Sequence, residues 1–237
     1  MSLLEPRCRT PWQGFVPILG LFMCLLALVA PRAARGMDQD DSLLAFAVNI
    51  ERTPTQPWTG YGIYLGHGFF ITAAHVVGHA WITRPRVVIG GHDYPTHVVK
   101  EGSLDATDLT VLSVDESLLP LRLRLRENHI CTTSPRAGEP VVSVVPEKTV
   151  RSYVLAPEHL PVSARKFSTV VADVAHTGNS GSGVFDVQTR CLLGIMSRKI
   201  SQTIKNNATG ASATQDIAKY FVPAAEIKAF LPPGVGL

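Results

Sequence analysis

Short strand-like runs recur along most of this chain, many of them closed off by glycine, proline or asparagine, and that punctuation constrains the fold more than any other feature. In the first half they are Leu44–Ile50, Gly62–Leu65, Phe69–Thr72, Val87–Ile89, His97–Lys100 and Leu109–Val114. After a Leu/Pro/Arg stretch they resume as Val141–Val145, Val150–Leu155, Ser168–Ala172, Gly183–Asp186, Leu192–Ser197 and Tyr220–Val222. Runs of this length and composition suit a meander of antiparallel strands. About six strands per half predict an all-β fold of two packed barrels or sandwiches. With 237 residues, 46% of them hydrophobic, the chain can bury a core of that size. One segment reads as a helix: Ala224–Leu231, entered just after Pro223, with Ile227, Phe230 and Leu231 at helical spacing.

The N-terminus follows different rules. Arg7 and Arg9 precede an apolar run from Phe15 to Ala30, and Pro31-Arg32-Ala33-Ala34-Arg35-Gly36 follows. A basic start, an apolar stretch and a small-residue exit predict an export signal over residues 1–36. Cleavage after Gly36 would release Met37. The competing reading is an uncleaved anchor through residues 12–30. Either places the rest of the chain in a secreted or periplasmic setting, in the second case tethered to a membrane.

The formal charge of +3 arises in that same segment, where Arg7, Arg9, Arg32 and Arg35 face Glu5 alone. The remainder holds 18 basic and 18 acidic residues, out of totals of 22 and 19. A neutral body gives no electrostatic reason for nucleic-acid binding, and none is expected. Beyond residue 36 the cysteines are Cys131 and Cys191. In an oxidising compartment two such cysteines form one disulfide or remain two separate buried thiols, and without CxxC spacing they make no zinc site. The alternating stretch Leu121-Arg122-Leu123-Arg124-Leu125-Arg126 reads as an extended connector between the halves with a solvated arginine face, the alternative being a patch for acidic lipids or an acidic partner.

Three residues carry the chemistry. A serine hydroxyl is a weak nucleophile at neutral pH and needs a base, an oriented imidazole and donors for the developing oxyanion. Ser180 sits in His176-Thr177-Gly178-Asn179-Ser180-Gly181-Ser182-Gly183, where glycines permit a tight backbone; Gly178 and Ser180 would supply the oxyanion N–H groups. A Gly-x-Ser-x-Gly elbow is not matched, because Ser182 holds the last glycine position. His75 follows an apolar strand and two alanines, in Phe69-Phe70-Ile71-Thr72-Ala73-Ala74-His75. His79 stands four residues on, but no third ligand accompanies the pair, so no metal and no other cofactor is expected. Asp108 stands before an alternating strand, with Asp105 as its rival deeper in the loop.

The order His, Asp, Ser makes the pattern specific. Thr72-Ala73-Ala74-His75, Asp108-Leu109-Thr110-Val111-Leu112 and Gly178-Asn179-Ser180-Gly181-Ser182-Gly183-Val184-Phe185, with Leu193-Gly194-Ile195 after it, resemble the three motifs of the chymotrypsin-like (trypsin-like) serine peptidases. Within that family the likeness is greatest to bacterial glutamyl endopeptidases and the high-temperature-requirement peptidases. The resemblance implies two six-stranded antiparallel β-barrels, residues 37–118 and 119–237, with a short C-terminal helix and a His75–Asp108–Ser180 triad at their interface. It implies endopeptidase activity on a protein or peptide substrate. A catalytically silent binding or scaffold protein and an esterase on the same fold are the rival readings.

Departures from the family pattern shape what is expected. Asn179 replaces the aspartate that pairs with a newly cut N-terminus in digestive members, so activation by that ion pair is not expected. The chain ends after its first terminal helix, so no peptide-binding PDZ module is expected to follow. Val174 stands where trypsin carries its pocket aspartate, which disfavours cutting after Lys or Arg. Ser197 and Arg198, with Lys199, fall where the family lines its substrate groove, and Met196 replaces the histidine of glutamyl enzymes. Val174, Ser197 and Arg198 are therefore the expected substrate-binding positions, with the substrate preference left open.

Overall fold

The computed structural model describes residues 38–53, 55, 60–172, 180–205 and 210–235. The export or anchor segment expected over residues 1–36 lies outside them. Seven strands form the first sheet: β1 (Ala47–Glu51), β2 (Gly60–Gly66), β3 (Phe69–Thr72), β4 (Arg86–Ile89), β5 (His92–Pro95), β6 (His97–Glu101) and β7 (Thr110–Ser113). They pair antiparallel in the order β5-β4-β1-β2-β3-β7-β6. Six more form the second: β8 (Pro140–Val145), β9 (Lys148–Tyr153), β10 (Val170–Val171), β11 (Gly183–Asp186), β12 (Leu192–Lys205) and β13 (Ser212–Pro223). Their order is β10-β13-β12-β11-β8-β9. The helix Ala224–Phe230 follows Pro223 directly and buries Ala224, Ile227 and Phe230.

Period-two alternation explains why the central strands are buried on both faces. Ile63 and Leu65 of β2, Ile71 of β3 and Val111 of β7 join a cluster with Val142, Val184, Phe185 and Ile195 of the second sheet. The intervening Tyr64, Phe70 and Leu112 point the other way, into a core lined by Val48, Ile50 and Val87. Side chains of this class each stabilise the fold by about 1.5–3 kcal/mol when fully buried. The two sheets therefore share one apolar seam, and His75, Asp108 and Ser180 stand near strand ends beside it.

The first sheet has one strand more than the six expected. β5 is polar, His92-Asp93-Tyr94-Pro95, and lacks the apolar signature of a strand. It forms because Gly90 and Gly91 both take positive φ (59° and 81°), the conformation that a two-residue hairpin turn demands. The long β12–β13 hairpin likewise runs through polar residues to Lys205 and resumes at Ser212. β1 begins later than expected, because Ser42–Phe46 is a 3-10 turn.

The Leu/Arg stretch is not an extended connector. Leu121–Arg124 is a helical turn entered from Pro120. Leu119 and Leu123, four residues apart, both enter the first core, whereas Leu121 and Leu125 are 60% and 77% exposed. Leu119 and Pro120 are extended and lead into the turn, which then sends Leu123 inward and Leu121 outward, whereas strand alternation would have put Leu121, Leu123 and Leu125 together with no neighbouring strand to cover them.

Two long-range ties fasten the second sheet. Buried Asp40 accepts from Arg151 Nε and Arg190 Nη1, both at 2.6 Å, which holds the N-terminal end of the described chain against this sheet. Burial opposes its ionisation, but the two guanidiniums prevail and hold the Asp40 carboxyl below its ordinary value. Cys131 and Cys191 are disulfide-bonded, with Cα atoms 5.0 Å apart and a sequence separation of 60. The bond is seated by a backbone ladder, Cys131 N–H to the Leu192 carbonyl (3.0 Å) and Leu192 N–H to the His129 carbonyl (2.8 Å). Closing a loop of that length is worth roughly 4 kcal/mol in the chain-entropy model. Peptide mapping of the unreduced protein is expected to recover Cys131 and Cys191 as one linked pair. Recovery of both as separately alkylated thiols would overturn the assignment.

Among the described residues no helix is long and apolar enough to cross a membrane.

Candidate active site

His75 is delivered by the end of β3. Thr72 is followed by extended Ala73 (φ −73°, ψ 140°) and then by a single helical turn, Ala74–Val77. Ala73, Ala74, Val76 and Val77 are all buried, so the turn is pinned by apolar contacts while the His75 ring stays partly exposed. Asp108 stands at the entrance of β7 and is 2% exposed. It holds His75 twice. The His75 backbone N–H donates to Oδ1 at 3.0 Å, and the ring Nδ1 lies 2.9 Å from Oδ2 and 3.1 Å from Oδ1. An Nδ1–H donor leaves Nε2 as the ring atom able to accept a proton.

Asp105 is exposed in the same loop, which is tightened by Gly102 N–H to the Leu109 carbonyl (2.9 Å) and Ser103 N–H to the Thr107 carbonyl (3.0 Å). The loop thus separates the two carboxylates, burying Asp108 and leaving Asp105 in solvent. His79 turns away from His75, with its Nδ1 3.0 Å from Glu101 Oε1. No group of metal-ligating side chains is present among the described residues.

Ser180 is brought to the seam by its neighbours. Its carbonyl accepts from the Tyr61 N–H of β2 (2.9 Å), Gly181 N–H donates to the Met196 carbonyl (2.8 Å), and Met196 N–H donates to the Ser182 carbonyl (2.8 Å). Gly181 has φ +85°, and a Cβ there would collide with the Tyr61 carbonyl oxygen and the Thr72 hydroxyl. Only glycine lets this backbone press so closely on the start of β2 and the end of β3. Since Thr72 lies three residues before His75, the same contact sets the serine loop beside the histidine turn. The Ser180 hydroxyl donates to the Ser197 carbonyl at 3.2 Å, and among the described residues no hydrogen bond joins it to His75. Gly178 and Val174 lie outside the described residues.

Ser197 has a role that sequence reasoning missed. Its hydroxyl donates to Asp108 Oδ2 at 2.5 Å, and the residue is 1% exposed. A β-bulge between Met196 and Arg198 in the β12–β13 ladder turns it toward the carboxylate. The available signal was a lone hydroxyl at the end of the apolar run Leu192–Met196. Arg198 donates through Nη2 to the Leu104 carbonyl (2.7 Å), tying β12 to the aspartate loop. Burial opposes ionisation of Asp108, but donors from the His75 ring, the Ser197 hydroxyl and the His75 backbone outweigh it and hold the carboxyl below its ordinary value.

A histidine held at ring and backbone by a buried carboxylate, with a serine presented from a glycine loop on the facing sheet, is an arrangement suited to acyl transfer. Comparison with known families gives a match to the trypsin-like peptidase domain over residues 60–195, more than half the chain. The chain belongs to the trypsin-like peptidase family. The matched span contains His75, Asp108 and Ser180 and ends two residues before Ser197.

Solved structures share the trypsin-like double β-barrel. The serine endoprotease from Yersinia pestis matches with a TM-score of 0.55 at 18% identity, covering 81% of this chain and 64% of that one. The active form of the Rv3671c protease from M. tuberculosis matches with a TM-score of 0.52 at 16% identity, covering 97% and 93%. The MamO protease domain from Magnetospirillum magneticum gives 0.51 at 18%, covering 80% and 97%. At such identities the likeness is one of fold. This chain therefore spans a little less than two thirds of the Yersinia chain. No curated protein matches. Membership of that family supports a serine-type peptidase.

Proposed function

We propose that this peptidase is an endopeptidase that cuts internal peptide bonds through His75, Asp108 and Ser180. The observation that carries the reading is the double grip of buried Asp108 on His75, ring and backbone, beside a serine loop that only glycine at 181 can build. In this mechanism the Ser180 hydroxyl turns from the Ser197 carbonyl and attacks the scissile carbonyl carbon as His75 Nε2 takes its proton. The oxyanion is met by the N–H groups of Gly178 and Ser180. The tetrahedral intermediate collapses when His75 returns the proton to the leaving amine, releasing one peptide and leaving an ester on Ser180. Water then adds to the ester, its proton going to His75, and release of the acid restores the serine. Asp108 stays ionised throughout and holds the imidazole in the productive tautomer.

Residues 1–36 fit this role as an export signal, with the peptidase secreted or periplasmic, or as a tether through residues 12–30. Val174, at the sequence position where trypsin carries its pocket aspartate, favours something other than a cut after a basic residue.

The hydrogen bond from the Ser180 hydroxyl to the Ser197 carbonyl favours a second reading, a silent scaffold on the same fold. A fluorophosphonate probe separates the two, because only an activated serine labels. One adduct, on Ser180, is expected. A folded protein that forms no adduct would decide for the scaffold.

A further inference from the structure

The turn that carries His75 cannot hold itself. It is four residues long, Ala74–Val77, and its N-cap, Ala73, makes no side-chain hydrogen bond. A single turn lies below the length at which a helix is stable alone, and its last carbonyls have no partner within the turn. Asp108 grips it from the front, at the His75 N–H and ring. Its rear face carries the carbonyls of His75 and Val76.

Those two carbonyls are taken by one side chain. Arg52 Nη2 donates to the His75 carbonyl and Arg52 Nε donates to the Val76 carbonyl at 3.1 Å. Arg52 immediately follows β1, a strand paired on both sides, to β2 and to β4. The guanidinium is half-buried, and a Cβ at Gly78, which closes the turn at φ +74°, would stand 3.4 Å from its Nε. A planar fork of donors can serve two adjacent carbonyls at once, whereas an ammonium is a single point donor.

We propose that Arg52 is a positioning residue for catalysis, clamping the rear of the histidine turn so that the Asp108 grip fixes the direction of the imidazole. The inference rests on His75 being the base. Anchored at its N–H by the carboxylate and at its C=O by the guanidinium, His75 has both backbone polar groups bound by residues that flank different strands of one sheet, β7 and β1. Without Arg52 the turn keeps its apolar contacts and its bond to Asp108 but is free to pivot about them. A displacement of about 1 Å in a catalytic group can cost on the order of 100-fold in rate. Arg52 touches neither substrate nor reacting atoms, so its loss should reduce the reactivity of Ser180 without changing how a ligand binds.

The test uses the full chain and the rate of fluorophosphonate labelling at Ser180, read as a maximal rate and a half-saturating probe concentration. R52A is expected to lower the maximal rate about 10- to 100-fold with half-saturation unchanged and the thermal transition still cooperative. Guanidinium at millimolar levels, far below denaturing concentrations, should restore part of the R52A rate, and methylammonium should not. R52K should fall between R52A and the parent. R52A labelling at the parent rate overturns the proposal, as does a loss that appears in the half-saturation or that added guanidinium leaves untouched. Should R52A fail to fold, R52K decides: a folded R52K at the parent rate overturns the two-carbonyl clamp. H75A is run alongside. If H75A labels as fast as the parent, the assignment of the base has failed, whereas slow H75A with unaffected R52A and R52K condemns the Arg52 proposal alone.

Discussion

Ser180→Ala is expected to abolish peptide hydrolysis, with turnover falling on the order of 10⁶-fold, the scale of loss when a triad nucleophile is removed. The nearest alternative hydroxyl is Ser182, two residues on. Its Oγ is fully buried and has no hydrogen-bond partner among the described residues, so it faces the interior and not the seam. Ser182→Ala should therefore leave turnover close to the parent. The frame around Ser180 should survive its truncation, because Tyr61, Met196 and Gly181 hold the loop through backbone atoms. The check is initial-rate turnover of a peptide found by mixture-based cleavage profiling, with circular dichroism to confirm folding. A reversal, with Ser180→Ala active and Ser182→Ala dead, would refute the assignment of the nucleophile.

Asp108→Asn is expected to lower turnover by roughly 10⁴-fold while the domain still folds. An amide in place of the carboxylate can present its NH₂ to Nδ1, which reverses the donor and puts the ring proton on Nε2, the atom that must accept. Ser197 can rotate its hydroxyl to meet either group. Asp105→Asn, at an exposed loop position, should cost little. Equal turnover in the two variants, or a loss confined to Asp105→Asn, would show that the orienting carboxylate is elsewhere.

Asp108→Asn also differs from the parent in acid. Because the folded protein holds the Asp108 carboxyl below its ordinary value of about 3.9, the ionised group adds stability that is fully present above that value. The contribution fades as pH falls from there through the lower folded-state value. Denaturant midpoints measured down the acid limb should thus fall less steeply for Asp108→Asn than for the parent. Parallel profiles would remove Asp108 from the acid transition.

How far the amino-acid order reaches depends on whether a signal is local. The runs Phe69–Thr72 and Val141–Val145 carry their own pattern, and so do small residues leading into His75 and glycines around Ser180. Each needs only neighbours along the chain to be recognised, because strand alternation and positive-φ turns are short-range constraints. β5 escaped because its residues are polar and its signal lies in the Gly90-Gly91 turn before it. The Leu121–Arg126 stretch misled because strict alternation mimics a strand, and only burial of Leu123 by the first core, with Leu121 and Leu125 left in solvent, selects the helical turn.

By itself the sequence determined that the chain is all-β in two halves and that one histidine, one aspartate and one serine emerge at strand ends in the order of the trypsin-like peptidases. The tertiary structure decided what surrounds them. Ser197 reaches Asp108 across 89 residues, Arg52 reaches the His75 turn across 23, and Asp40 gathers Arg151 and Arg190 from 111 and 150 residues away. None of these partners has a spacing that a local rule could read, because each contact exists only once the sheets have packed and burial has made an unpaired charge or carbonyl costly.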